Sequence, residues 1–463
     1  MHGRATVFVV MLLLLVVATP PHAVAANDKD ARIAELEERV AEMEKLLEEL
    51  KTQPDADSAR FEELERQIGI LAEEIEDLEH RDILPKATTS RFGLGPAASK
   101  VYEVDRGVSI GGYGEMIYEN FDSTDESGAP VTKKDQLDFL RLVLYFGYKF
   151  NDRIVFNSEI ELEHASTGES GSASVEFAYL DFAGFDALNG RAGLLLVPMG
   201  FINEYHEPPT FLGAKRPLVD RYLIPTTWRE NGAGIFGETR RLSYRAYVIN
   251  SLDAVKTPGD DDGFDAEGIR GGRTKGSKSP AEDFALVGRL DWTPWQWLTL
   301  GGSFFTGDTG QGNVNSSGNR IGARTTIGEL HGQFRLRGWE SRVVYVGTTI
   351  DDVADLNEVQ GFTGAESIGE EQYGWYAEAG WDTFSLMETR QALIPYVRYE
   401  RINTQDKVPD GFMADPVNDR KITTVGLSYK PLVNVALKAD YNRIRNAAGA
   451  GVNQVNVALG FYY

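Results

Sequence analysis

The sequence contains no cysteine and only six histidines, which removes a disulfide framework and a thiolate metal site from consideration. Past the first twenty residues, no stretch approaches the roughly 20 consecutive apolar residues that a transmembrane helix requires. Positive charge is also short: 47 Lys and Arg stand against 70 Asp and Glu, for a net charge of −23. Nucleic acid is therefore not expected as a partner. No motif calls for a cofactor, and none is expected.

What is present begins with Arg4, an apolar run from Val7 to Ala18, Pro20, Pro21 and the small-residue site Ala23-Val24-Ala25. This pattern is a signal peptide over 1–25, too short to span a bilayer and followed by a cleavage site. Residues 26–85 hold 20 acidic against 8 basic residues. Within them Ile33, Leu36, Val40, Met43, Leu47 and Leu50 recur at spacings of three and four, as do Phe61, Leu64, Ile68, Leu71, Ile75 and Leu78. These are a and d positions of an α-helical coiled coil over 26–84, with Pro54 allowing a break or a hairpin between its halves. Pro85, Gly93, Gly95 and Pro96 mark a linker over 85–106.

From Gly107 onward the periodicity changes to two. Sixteen segments read as strands: 107–121, 137–150, 153–165, 174–184, 189–200, 232–238, 241–251, 282–293, 297–307, 324–337, 339–350, 373–386, 390–403, 420–430, 432–445 and 452–463. The gaps between them are alternately long and short. That is the layout of an all-β, antiparallel, transmembrane β-barrel with extended outer loops and tight periplasmic turns. The last strand places Val455, Val457, Leu459, Phe461 and Tyr463 on one face, suited to lipid, and Asn456, Ala458 and Gly460 on the other.

Leu140, Leu142, Leu144, Phe146, Tyr148 and Phe150 likewise share a face opposite Arg141, Tyr145 and Lys149. A midplane Arg or Lys facing lipid costs about 2–4 kcal/mol, so the charged face is the lumen. The same logic assigns Arg153, Glu159, Glu161, Arg289, Glu329, Arg335 and Arg398 to the pore wall. Sixteen strands leave an aqueous channel, where about eight would be filled by side chains.

Residues 201–231 gather Phe201, Tyr205, Phe211, Leu212, Leu218, Tyr222, Ile224 and Trp228 with four prolines. A loop in water has no reason to hold these together, so this one is expected to fold inward and constrict the pore. Its charged groups, Glu204, His206, Glu207, Lys215, Arg216, Asp220, Arg221, Arg229 and Glu230, are the candidate selectivity residues.

Signal peptide, acidic coil, sixteen-strand barrel and aromatic C-terminus, with Gly111-Gly112-Tyr113-Gly114-Glu115 and Gly426-Leu427-Ser428-Tyr429, resemble the phosphate-selective porin O and P family. The resemblance implies a homotrimeric porin in outer-membrane lipid, passively conducting small hydrophilic solutes or ions, including anions such as phosphate. The barrel region departs from the family by being acidic overall. The alternative function is a structural tether, its periplasmic coil holding peptidoglycan.

Enzymatic chemistry is not expected. Gly107-Val108-Ser109-Ile110-Gly111 has nucleophile-elbow spacing but opens a strand rather than a strand-to-helix turn. Gly271 and Gly276 have phosphate-loop spacing, yet Ser277 stands where Lys is needed. Asp260, Asp261, Asp262 and Asp265 do not have EF-hand spacing, and Glu204 with His206 gives two metal ligands at most.

Overall fold

A computed structural model of the chain describes residues 35–36, 38–45, 67–68, 90–166, 171–185, 187–255, 262–387 and 389–463. The signal peptide, most of the expected coil, and Asp260 and Asp261 lie outside the described residues. Residues 35–36 and 38–45 are helical, and Leu36, Val40 and Met43 are less exposed than Glu38, Arg39, Glu42, Glu44 and Lys45. They belong to a unit ending at Pro85, separate from the unit Lys86–Tyr463.

The second unit is a closed antiparallel barrel of sixteen strands. In chain order these are β1 (Gly107–Phe121), β2 (Gln136–Asn151), β3 (Ile154–Glu163), β4 (Ala173–Phe185), β5 (Leu188–Leu196), β6 (Arg229–Glu238) and β7 (Leu242–Asn250). A small hairpin, β8 (Gly263–Asp265) and β9 (Gly268–Gly271), lies in the following connection and forms a separate sheet. The barrel continues with β10 (Phe284–Trp295), β11 (Leu298–Gly307), β12 (Thr325–Leu336), β13 (Trp339–Ile350), β14 (Glu371–Trp381), β15 (Ala392–Lys407), β16 (Asp419–Leu432), β17 (Val435–Asn446) and β18 (Gln454–Tyr462). Each expected segment overlaps one of these strands. The segment 373–386 overruns β14 because Asp382 caps a 3-10 turn at Thr383–Leu386, its carboxylate accepting from Phe384 N at 3.0 Å.

The sheet closes where Tyr113 faces Tyr462. Tyr463 N donates to Gly112 O at 2.9 Å and Gly112 N donates to Tyr463 O at 3.1 Å. No edge is left to desolvate, as a membrane requires. Sidedness follows the pleat: on β12, Leu330 is 67% exposed between Glu329 at 2% and His331 at 5%. Leu142, Leu144, Phe146, Val248, Leu286, Val343 and Val425 also face outward, giving the apolar exterior of a transmembrane barrel. Trp295 and Trp297 stack at 5.0 Å, and Trp339 lies 6.2 Å from Trp381. Both pairs sit at the end with the short turns and the two barrel termini, as an interfacial girdle does.

The interior is narrowed from two sides. The β5–β6 connection turns inward, and its Val197, Met199, Val219, Leu223, Ile224 and Trp228 join wall residues such as Tyr145, Phe177, Tyr247, Phe305 and Tyr376 in one buried apolar cluster. From Ser90 on, the stretch read as a linker also packs within the barrel unit, with Leu94, Ala97, Ala98 and Val101 buried.

Candidate functional site: the constriction

The β5–β6 connection crosses the lumen because polar groups hold it on every side. On one wall, His206 Nε2 meets Glu159 Oε1 of β3 at 3.1 Å and its Nδ1 meets Asn203 O at 3.0 Å. Glu204 pairs with Arg245 of β7 at 3.0 Å and Arg289 of β10 at 3.9 Å. On the far wall, Lys438 Nζ of β17 donates to the carbonyls of Pro208 (2.6 Å), Phe211 (2.7 Å) and Gly213 (2.9 Å). Asp440 accepts from Ala214 N at 2.8 Å, Glu400 of β15 accepts from Leu218 N at 2.6 Å, and Arg342 of β13 donates to Thr210 O at 2.6 Å. Lys215 pairs with Glu119 of β1. Strands far apart in sequence thus clamp one loop. Its short helix α1 (Leu218–Tyr222) lies against β14 and β15.

The loop folds inward as its apolar residues imply, and most of the expected wall charges lie on the side that alternation implies. Arg141 pairs with Glu115 at 3.2 Å and Glu161 at 3.1 Å, and Arg398 pairs with Glu400 at 2.8 Å. Glu329 accepts from Ser303 at 2.6 Å, and Arg289 pairs with Asp291 at 2.7 Å. Lys149 Nζ donates to Val104 O at 2.8 Å.

Two groups need correcting. Arg153 is exposed in the β2–β3 turn, and Arg335 is exposed at the turn end of β12, paired with Glu340 at 3.0 Å. Arg153 belongs to the barrel rim, since alternation carries no information outside the strand, whereas Arg335 keeps the inward side of β12 and lines a cleft there with Gln333 and Arg342. Arg229 and Glu230 lie on β6 rather than on the loop. There Arg229 pairs with Glu176 of β4, and Glu230 accepts from Thr274 N at 2.9 Å. Glu204 and His206 turn to different partners, so they do not form a shared metal site. Among the described residues no group of three or more His, Asp or Glu is placed to hold a metal. Ser109 lies buried within β1.

The remaining loop charges gather above the constriction. Arg270 of β9 donates from Nη1 to Arg221 O at 3.1 Å and also to Thr226 O. Arg273 Nη1 donates to Pro225 O at 3.1 Å and Thr227 O at 3.2 Å. Arg221 and Arg420 lie 5.4 and 5.1 Å from the Tyr222 ring. Arg216 Nη2 is buried without a hydrogen-bond partner. Among the described residues, Arg216, Arg221 and Arg270 have no carboxylate within ion-pair distance, whereas neighbouring Lys215 and Arg229 do. Burial, then Arg273, Arg221 and Arg216, push the Arg270 guanidinium below its ordinary pKa.

Sequence reasoning missed Arg270 and Arg273, which sit in a Gly- and Lys-rich outer loop without periodicity. It also missed Arg191 of β5, paired with Asp181 at 2.7 Å, although the Asn189, Arg191, Gly193 alternation could have placed it inward. On the other side of the loop, Phe201, Glu204, Tyr205, Arg289, Gln333 and Arg342 help line a cleft of about 300 Å³.

A closed sixteen-strand barrel with an apolar belt and a loop folded into its lumen is the fold of the outer-membrane porins. At 12% identity, the structure resembles Salmonella typhi OmpF, solved as a complex with daunomycin, with a TM-score of 0.50 over 78% of this chain and 98% of that one. Acinetobacter baumannii DcaP, an outer-membrane channel, matches at 11% identity and a TM-score of 0.48 over 77% of this chain and 97% of that one. No family model matches the chain. It belongs to the same family as a protein of Aquifex aeolicus (strain VF5) described as uncharacterized, with which it is 38% identical over 370 residues, 78% of this chain and 81% of that one.

Proposed function

We propose that the protein is an outer-membrane porin through which small hydrophilic solutes diffuse passively, and that its narrow constriction prefers small anions such as phosphate. The carrying observation is the group Arg216, Arg221 and Arg270, held against the constriction loop without a carboxylate partner among the described residues. Arg216 and Arg270 are half-buried while Arg221 is exposed, and a partly desolvated charge without a counter-charge is unfavourable. An anion at about 4 Å gains about 4 kcal/mol of gross Coulomb energy from a half-buried guanidinium at an effective dielectric constant of about 20, less its own desolvation cost. Binding of that order holds an ion briefly and still releases it, as conduction requires. The overall negative charge does not oppose this reading, because screening over about 8 Å isolates the lumen from the outer loops.

The resemblance to phosphate-selective porins supports the same solute class, with a different set of arginines. The assembly we propose, on the resemblance to porins, is a homotrimer in outer-membrane lipid, with the acidic coil in the periplasm. The test is chloride current through single channels in planar bilayers, with phosphate added. Phosphate should reduce the current in the wild type, and replacing Arg216, Arg221 and Arg270 by Gln should relieve that block. Equal block in both proteins would remove the arginine group from the pathway.

A further inference from the structure

The segment Ser90–Val104 is seated inside the barrel unit by five strands. Arg245 Nε of β7 donates to Phe92 O at 3.2 Å, and Asn157 Nδ2 of β3 donates to Ala98 O at 2.9 Å. Lys149 of β2 donates to Val104 O at 2.8 Å. The Tyr102 hydroxyl donates to Asp181 of β4 at 2.7 Å and accepts from Arg191 of β5 at 3.1 Å.

The fit is close on both sides. A Cβ on Gly93, whose φ is +85°, would lie 2.0 Å from Arg245 Nη2, and one on Gly95 would lie 2.4 Å from Glu207 Cδ. On the wall, a Cβ on Gly111 would lie 2.8 Å from Ala97 O, and one on Gly147 would lie 2.5 Å from Val101 Cγ2. Glycines on a flexible tether have no such neighbours; here Gly111 marks a close backbone approach, and the others a close approach of side chains.

The seat is joined to the constriction through one side chain. Glu207 Oε1 accepts from Ala97 N at 2.9 Å and from Ala98 N at 3.1 Å. Glu207 immediately precedes Pro208, whose carbonyl is held by Lys438 of β17. The constriction loop is therefore strung between β17 and the seated segment, and its position depends on both.

We propose that Ser90–Val104 is a positioning element of the constriction, fixing pore width and ion preference through the Glu207 bridge to the Ala97 and Ala98 amides. The proposal rests on the channel reading above. Two substitutions in the full-length protein separate the bridge from the charge of Glu207. Glu207→Gln keeps a carbonyl acceptor for both amides, whereas Glu207→Leu keeps the bulk and removes the acceptor. Gly95→Ala perturbs the same bridge from the segment side, by pressing on Glu207.

With folding checked by heat-modifiability on gels, Glu207→Gln should keep the wild-type conductance level and reversal potential. Glu207→Leu and Gly95→Ala should lose the single steady level and shift both readings. If Glu207→Leu and Gly95→Ala match the wild type, or if Gln and Leu shift the readings equally, the positioning role is overturned. A silent wild type would instead overturn the channel reading and this inference together. Because the chain has no native cysteine, Leu94→Cys adds a readout independent of current. Maleimide should modify it far more slowly than a cysteine at exposed Val433; equal rates would refute the seat.

Discussion

Lys438→Met is the sharpest perturbation of the constriction. The ammonium is buried and donates to three loop carbonyls at 2.6 to 2.9 Å. Methionine fills most of the same volume without a donor. A hydrogen bond from a charged group is worth about 1.5–3 kcal/mol net, so three are worth about 4.5–9 kcal/mol before lumen water re-solvates the carbonyls. If water recovers half or more, about 3 kcal/mol remains, a factor of about 150 in the ratio of docked to released loop. The barrel itself should persist, because its sixteen-strand ladder does not involve this side chain. The assay is single-channel recording in planar bilayers. The expected result is a larger, fluctuating conductance in place of one steady level, with weaker anion preference as Arg216 and Arg221 move with the loop. A steady wild-type level in Lys438→Met would refute the reasoning, because the loop would then be held by contacts other than the far-wall clamp.

Leu330→Arg places a charge on the lipid face and should lower barrel stability by about 2–4 kcal/mol if it lies near the midplane, whereas polar substitution at inward Ser303 should cost less; urea unfolding in lipid vesicles measures both. Burial pushes Glu207 up to about 8, and Glu159 raises His206 against the opposing effect of its burial. Both groups keep a proton in the fold that the unfolded chain has lost, so stability falls as pH rises from about 4.5 towards 8 through Glu207 and, through His206, only above 6.5. Glu207→Gln should flatten that slope in a heat-modifiability series, and an unchanged slope would assign it to other groups. Light scattering in detergent should give a trimer, and a monomer in the intact protein would contradict that assembly.

The barrel was legible because a strand with lipid on one side and water on the other must alternate, and the alternation survives in single strands such as β2 and β12. The inward loop was legible because eight large apolar residues and four prolines are unsuited to a solvated loop. The seated segment was not. Gly93, Gly95 and Pro96 suit a linker and a close-packed strap equally well, and what distinguishes them is Glu207, Arg245 and Asn157, far away in sequence. The arginine group was half legible for the same reason: Arg216 and Arg221 lie on the constriction loop, but Arg270 reaches them from the next outer loop. Arg153 was misplaced because period two was extended past the start of β3.

Arg216, Arg221 and Arg270 at the constriction loop have no carboxylate partner among the described residues, although the chain carries a net charge of −23, and they are proposed to make the pore prefer anions. The measurement that tests this proposal most directly is the reversal potential of the wild-type channel across a tenfold potassium chloride gradient. The expected potential is displaced toward the chloride equilibrium value. A potential displaced toward the potassium value would contradict it, because the acidic groups of the wall and outer loops would then govern the pathway.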